Sequence, residues 1–510
     1  MKTITKISLI AAAALLISAC GGSVAPEGAI TVNEAVGGTN TGLSSDAGQQ
    51  MTDGQSEVVE ASTPVAPAEM QEGADTTGIE RGALSRADAP TIRSLFFPAN
   101  NGATGIELYR YDIASNTVTF TDIRAGVAGS RPTFITEVNG KLYFAANNGI
   151  DGRELWIYDG ATNTASIRNL NTSGGAGSNP RFITELGGKL YFSADDGTGE
   201  GRELYYYDIA TNQHGYVRNH LLQTLRPGAA GSDPRDLKVQ DGVLYFSAND
   251  GSGVGRELYR YDPINDVDSG PVRIADVNPA PFSGSNPIFM ANIDGKIYFS
   301  ADDGATGREL WKYDSVTNTT TQIRDINPGA AGSNPMFLAA VNGMIFFTAD
   351  NGNPAIGPNV ELMKYDTNLD MMSTAADISL VFGSYPSYLT EMNGDLYFGA
   401  YSEVTINSSG NIKYTGYELW KYNIASGATS LVDDLAKGIF QDSGPFWITE
   451  ANGMLYFGAQ DSPLNGRELW KSDGVNQSMP TGNFNPGAGH FLPSPVIYNF
   501  PYEKIVKTTW

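Results

Sequence analysis

A two-part phrase that recurs along this chain constrains its fold more than any other feature. Leu142-Tyr143-Phe144-Ala145-Ala146-Asn147-Asn148-Gly149 leads a few residues later into Gly152-Arg153-Glu154-Leu155-Trp156. The pair returns around Leu190 and Glu203, Leu244 and Glu257, Ile297 and Glu309, Ile345 and Glu361, Leu396 and Glu418, and Leu455 and Glu468. A weaker first copy runs from Leu95 to Glu107. A unit repeated at roughly fifty residues buries its apolar faces only by stacking on its neighbours.

The copy near Ser333 shows what one unit builds. Asn334 to Val341 is a short apolar run, and Asn342-Gly343 after it is a strong hairpin signal. Met344 to Ala349 reads as a second strand, Asp350-Asn351-Gly352 as a loop, and Glu361 to Asp366 as a third strand. A fourth, weaker strand is expected near Ala376 to Leu380. Apolar residues point to both faces, so both faces must be covered. A ring of such four-stranded antiparallel units is an all-β β-propeller, whereas a solenoid would need capping ends that are not evident. The count gives eight blades, or seven if one copy is displaced. Ser494 to Phe500 reads as an opening strand and Glu503 to Lys507 as the start of a second. The first N-terminal piece, Leu95-Phe96-Phe97, is a second-strand motif. The ring is therefore expected to close with strands from both termini, which removes exposed sheet edges.

Composition narrows the classes of function. The formal net charge is −23 over 510 residues, so nucleic acid is not expected as a partner. Cys20 is the only cysteine, and histidine occurs only at His214, His220 and His490. An intrachain disulfide is excluded, and histidine-based zinc or catalytic sites have little material. There is no Gly-x-Ser-x-Gly elbow, His-Glu-x-x-His or phosphate-binding loop.

The N-terminus reads as an export signal, with Lys2 and Lys6 before an apolar Ile7–Ile17 segment too short to span a membrane comfortably. Leu16-Ile17-Ser18-Ala19-Cys20 resembles a bacterial lipobox, with Ile17 where Leu is usual. The resemblance implies cleavage after residue 19, acyl chains on Cys20, and stable anchoring through them. With Gly21 rather than Asp next, it implies the outer membrane if the host is Gram-negative. Residues 20–90 lack hydrophobic periodicity and read as a disordered acidic tether. Seventy such residues span roughly 45–50 Å.

Gly307-Arg308-Glu309-Leu310-Trp311-Lys312-Tyr313-Asp314 and Gly466–Asp473 resemble the bacterial ELWxxDGT repeat family, and Asp473-Gly474 extends the match. Most other copies depart at the final Gly-Thr. The resemblance covers residues 91–510 and implies an exported or cell-surface propeller-like protein, with no reaction.

Eight equivalent glutamates suit a scaffold, such as carboxylates accepting backbone or Arg hydrogen bonds between blades, because a catalytic acid is needed once or as one pair. Arg153, Arg202, Arg256, Arg308 and Arg467 are replaced by Ile106, Val360 and Tyr417 elsewhere, which reads as a dispensable partner. Asp195-Asp196 and Asp302-Asp303 offer oxygen ligands for calcium, against which stands ordinary turn chemistry. Sites of function are expected where copies differ. The insertion between Tyr401 and Gly416 gathers Tyr401, Tyr414 and Tyr417 into a candidate partner-binding loop. The expectation is a membrane-anchored, non-catalytic propeller that binds or scaffolds a protein or glycan. The alternatives are a hydrolase or lyase acting on an extracellular polymer, and a purely architectural surface protein.

Overall fold

Every unit makes an antiparallel sheet, and eight four-stranded sheets form the ring of a β-propeller. This computed structural model describes residues 90–510, apart from 174, 354–357, 380–382, 403–404, 407–411, 414–415, 437–441, 463–465, 486–488 and 493–503. Among the described residues there is no helix. The signal segment, Cys20 and the tether lie outside them.

In blade 2 the strands are Thr133–Val138, Lys141–Asn147, Arg153–Asp159 and Thr164–Arg168, paired in chain order from the axis outward. The innermost strands of successive blades touch around the axis. The second and third strands are the most buried, with Leu142, Phe144, Ala145 and Leu155 fully covered. The outer strand of blade 6 is Met371–Ala376, earlier than the sequence suggested. Asp366 Oδ1 accepts from the backbone N–H of Asn368 and of Leu369, and this tight turn brings the chain straight back.

Blade 1 is shared between the termini as expected, but a different segment closes it. Val506–Thr508 is the opening strand and pairs with Ser94–Asn100, Phe96 opposite Val506. Glu503 to Lys507 therefore does not begin a second strand, because Ser94–Asn100 already fills that place. Ser494 to Phe500 lies outside the described residues. Two clasps secure the seam. The Asn452 side chain receives the Ile92 N–H at 2.8 Å and donates to the Ile92 carbonyl at 2.7 Å. Trp510 stacks on Tyr158, donates to Glu137, and leaves no room for a Cβ on Gly160.

Aromatic pairs tie neighbouring blades. The second-strand ring of one blade packs on the third-strand tyrosine of the next, as in Tyr143–Tyr207, Tyr245–Tyr313 and Tyr298–Tyr365. Tyr456 of blade 8 packs on Tyr111 of blade 1 with centroids 5.9 Å apart, which completes the circle. Each such pair contributes about 0.5–1.5 kcal/mol beyond its buried area. Many tyrosine hydroxyls are bonded internally. Tyr158 and Tyr313 donate to Asn163 and Asn318, which hold left-handed backbone in the next turn.

Candidate functional site at one mouth of the channel

The repeated glutamates rivet each blade to the connection that follows. Glu154 accepts from the N–H of Leu170, Asn171 and Ser178, and from Ser178 Oγ. The Ser178 carbonyl accepts the Asp195 N–H of blade 3. One serine thus joins two blades. Ser130, Ser232, Ser285, Ser333, Ser384 and Ser443 serve Glu107, Glu203, Glu257, Glu309, Glu361 and Glu418 in the same way. The donors are backbone and serine, not arginine. Gly152 and Gly177, both at positive φ, let the two segments approach so closely that a Cβ on either would strike backbone.

The eighth joint differs. Phe491 stands where the other joints have serine, and it packs against Tyr109 and Phe484. Glu468 Oε1 is left buried without a partner. Burial raises Glu468 to about 7; it raises Glu418 to about 8 against the pull of Ser443.

Arg153, Arg202, Arg256 and Arg308 each donate to a carbonyl of their own blade. Arg153 donates to Arg131 O, Thr133 Oγ1 and Ala145 O, pinning the start of the inner strand to the second. Tyr417 reaches the corresponding acceptors in blade 7: its hydroxyl bonds Ser387 Oγ and donates to Tyr385 O at 3.1 Å. Its ring lies against Gly399, where a Cβ would collide. Tyr417 therefore stands in for the arginine, and its hydroxyl is occupied. Tyr401 packs edge-on against it and is 43% exposed. Tyr414 lies outside the described residues.

The aspartate-rich loops are held by turn chemistry. Asp195 Oδ1 accepts Gly197 N–H, and Asp302 Oδ1 accepts Gly304 N–H. Asp196 bonds Thr198 and Tyr216; Asp303 bonds Ala305 and Thr306. Among the described residues no group of three or more His, Cys, Asp or Glu is placed to hold a metal ion.

The inner strands carry a feature not legible in the phrase itself. Each from blade 2 to blade 8 has a bulge near its start. The first bulged residue is left-handed: Phe134, Phe182, Asp236, Phe289, Phe337, Tyr388 and Trp447, with φ between 51° and 59°. Left-handed backbone costs a side-chain-bearing residue of this kind roughly 1–2 kcal/mol, so its recurrence marks a built element. Phe134 packs on Phe182, and Phe289 on Phe337 on Tyr388, around the axis. Threonines secure the bulges: Thr136 Oγ1 donates to Ile183 O at 2.7 Å and Thr390 Oγ1 to Ile448 O at 2.7 Å. The result is an aromatic collar.

Blade 4 breaks that collar with Asp236. The carboxyl sits among Arg256, Arg235 and Arg308, partly exposed yet deep among protein atoms, and burial raises it to about 7 against their attraction. Among the described residues it has no hydrogen bond. Immediately before the collar residue, blades 3 and 4 carry Arg181 and Arg235, where Thr133, Ile288 and Met336 stand elsewhere. Asp233 gathers Arg235 and Arg256, with Arg202 Nε 3.9 Å away. Burial beside other guanidiniums lowers both Arg202 and Arg256 to about 10. The Arg181 guanidinium is drawn by the Asp233 carboxylate, but its side chain makes no hydrogen bond or close ion pair among the described residues. Near the starts of two adjacent inner strands, blade 3 thus carries a guanidinium and blade 4 a carboxyl whose side chains make no hydrogen bond among those residues. Neither arises from the repeat.

Comparison with protein-family models finds no match for this chain, and comparison with curated protein sequences finds none. Among solved structures, a puromycin hydrolase is 16% identical with a TM-score of 0.42, over 74% of this chain and 59% of that chain. A prolyl endopeptidase is 12% identical with a TM-score of 0.43, over 72% and 54%. TolB from Acinetobacter baumannii is 15% identical with a TM-score of 0.31, over 55% and 62%. The chain thus spans less than two thirds of the length of each. Likeness at this level carries no argument about activity.

Proposed function

We propose that this chain is an exported propeller, anchored through lipid on Cys20, that binds a partner at the arginine-lined mouth of its channel and does no chemistry on it. The observation that supports the reading is the break in the repeat at the inner strands of blades 3 and 4. Seven glutamates and their serines are consumed in joints, and arginines of the phrase are consumed on carbonyls. Arg181 and Asp236 keep free capacity for hydrogen bonds. Residues 20–90 would tether the ring to the membrane, consistent with a member of the ELWxxDGT repeat family at the cell surface.

The test compares the full chain with a variant that takes sister-blade residues at the mouth: Arg181→Thr, Arg235→Ile and Asp236→Phe. On a mixed array of glycans and peptides, the full chain is expected to retain ligands that the triple variant does not. Bound compounds should be recovered unchanged after incubation. Recovery of cleaved products would instead support a polymer-acting hydrolase or lyase. Cys20→Ser should move the protein from the membrane fraction to the soluble one.

A further inference from the structure

Resting on the reading of a ring anchored through lipid, we infer that the face of the propeller carrying the tight turns docks on a membrane surface. Antiparallel order puts the turn between the first and second strands, and the turn between the third and fourth, at one end of every blade. The two turns are bonded to each other: Gly160 N–H donates to Gly140 O, Ile209 N–H to Gly188 O, and Thr367 N–H to Gly343 O. In blade 1 the same bond runs from Ile113 N–H to Arg93 O. The neighbouring Ile92 is clasped by Asn452, which lies in such a turn of blade 8. The chain therefore enters the ring on this face, coming from residues 20–90. Trp510 lies there too, against Gly140 and Gly160.

Four of the outer turns on this face carry a large aliphatic side chain at the tip. Ile264, Val316 and Leu369 stand on the consecutive blades 4, 5 and 6, and Val475 on blade 8, each between 67% and 88% exposed. Asp262, Asp314, Asp366 and Asp473 accept the N–H of these four residues, so each exposed side chain sits on a fixed turn. Lys141 and Lys296 of this face are paired with Asp159 and Asp314 at 2.9 and 3.8 Å, which leaves them little to offer an anionic headgroup. Insertion of aliphatic tips is therefore the mode of contact, without a need for anionic lipid. One tip holds weakly. Four on a rigid ring, delivered by a tether spanning roughly 45–50 Å, act together at high effective concentration. A second copy of the chain would cover the same tips but gives no role to the entry of the chain on this face. The collar lies near the starts of the inner strands and the turns at their ends, so docking points the collar away from the membrane.

With the Cys20 thiol taken by lipid, a cysteine introduced elsewhere is the sole free thiol of the full chain. Two acylated full-length variants are labelled with a polarity-sensitive dye, Val316→Cys and, in the loop between second and third strands at the opposite end of blade 2, Ile150→Cys. Each is reconstituted in vesicles of phosphatidylcholine and phosphatidylethanolamine containing brominated lipid. Quenching is expected for the label at position 316 and not for that at 150, and it should not change when phosphatidylglycerol is added. Adding Ile264→Ser, Leu369→Ser and Val475→Ser should weaken the docking equilibrium read from this quenching by about tenfold or more, while the protein stays in the membrane fraction. Equal quenching at both positions, or none at 316, would overturn the inference and leave the anchor standing. A change at 316 that follows protein concentration rather than lipid would identify a second copy as the occupant and overturn it likewise. A mass without acyl chains on Cys20 would instead remove the anchor, and with it the docking argued from it.

Discussion

A single serine hydroxyl decides whether a buried carboxylate in this ring is satisfied. Ser178→Ala leaves Glu154 Oε2 with one donor fewer in a fully buried place, and should cost about 1–3 kcal/mol by denaturant unfolding. Glu154→Gln should cost a similar amount, since its amide would face N–H donors. Glu468→Gln should cost less, because Oε1 has no donor to lose. The pH dependence follows from the same atoms. Burial raises Glu203, Glu361 and Glu468 to about 7 and Glu418 to about 8, above an ordinary 4.5. The folded state then holds these protons more tightly than the unfolded chain. Their contribution is complete below about pH 4.5 and lost as pH rises through 7 to 8. Melting temperature should fall between pH 5 and 8, with a shallower slope in Glu468→Gln. The glutamate slot was visible in the sequence as an eightfold repeat. Its serine was not, because it belongs to the connection after the phrase and is read there as turn material.

Within a blade, the arginine and its stand-in show how the same acceptors can be met by different shapes. Arg153 and Tyr417 reach equivalent carbonyl and hydroxyl groups, but the tyrosine ring needs Gly399 where other blades carry Ala145, Ser193 or Ser247. Gly399→Ala should destabilise by about 1–3 kcal/mol through overpacking, and Tyr417→Arg in the same chain should recover part of that loss. Thermal melts of the two single variants and the pair measure this coupling. Strand order was legible from hairpin signals and alternation, since Asn-Gly turns and buried Leu-Tyr-Phe runs leave few choices. The bulges were not. A left-handed residue has no fixed sequence signature when it is Phe or Trp, and so the collar appeared as ordinary strand apolarity. Asp236 consequently read as one more aspartate in an acidic chain.

For the whole molecule, closure depends on Val506–Thr508 and on Trp510, which lies against blade 2. Trp510→Ala should cost about 2–4 kcal/mol and deletion of residues 504–510 more, because the deletion also exposes the edge of Ser94–Asn100. Ring closure was expected from repeats at the two ends, but the closing segment was misplaced. Ser494 to Phe500 follows Pro493 as an opening strand follows proline in other units, whereas Val506–Thr508, which fills that place beside Ser94–Asn100, carries no such signal. The central claim is that the repeat holds the ring together while Asp236 departs from it for function, at a cost in stability. The melting temperature of Asp236→Phe tests this most directly. Completing the aromatic collar and removing a carboxyl that burial penalises should raise it by about 1 °C, for roughly 1 kcal/mol gained in a ring of this length. A melting temperature lowered by a comparable amount would show that Asp236 holds the ring together, and would contradict the account.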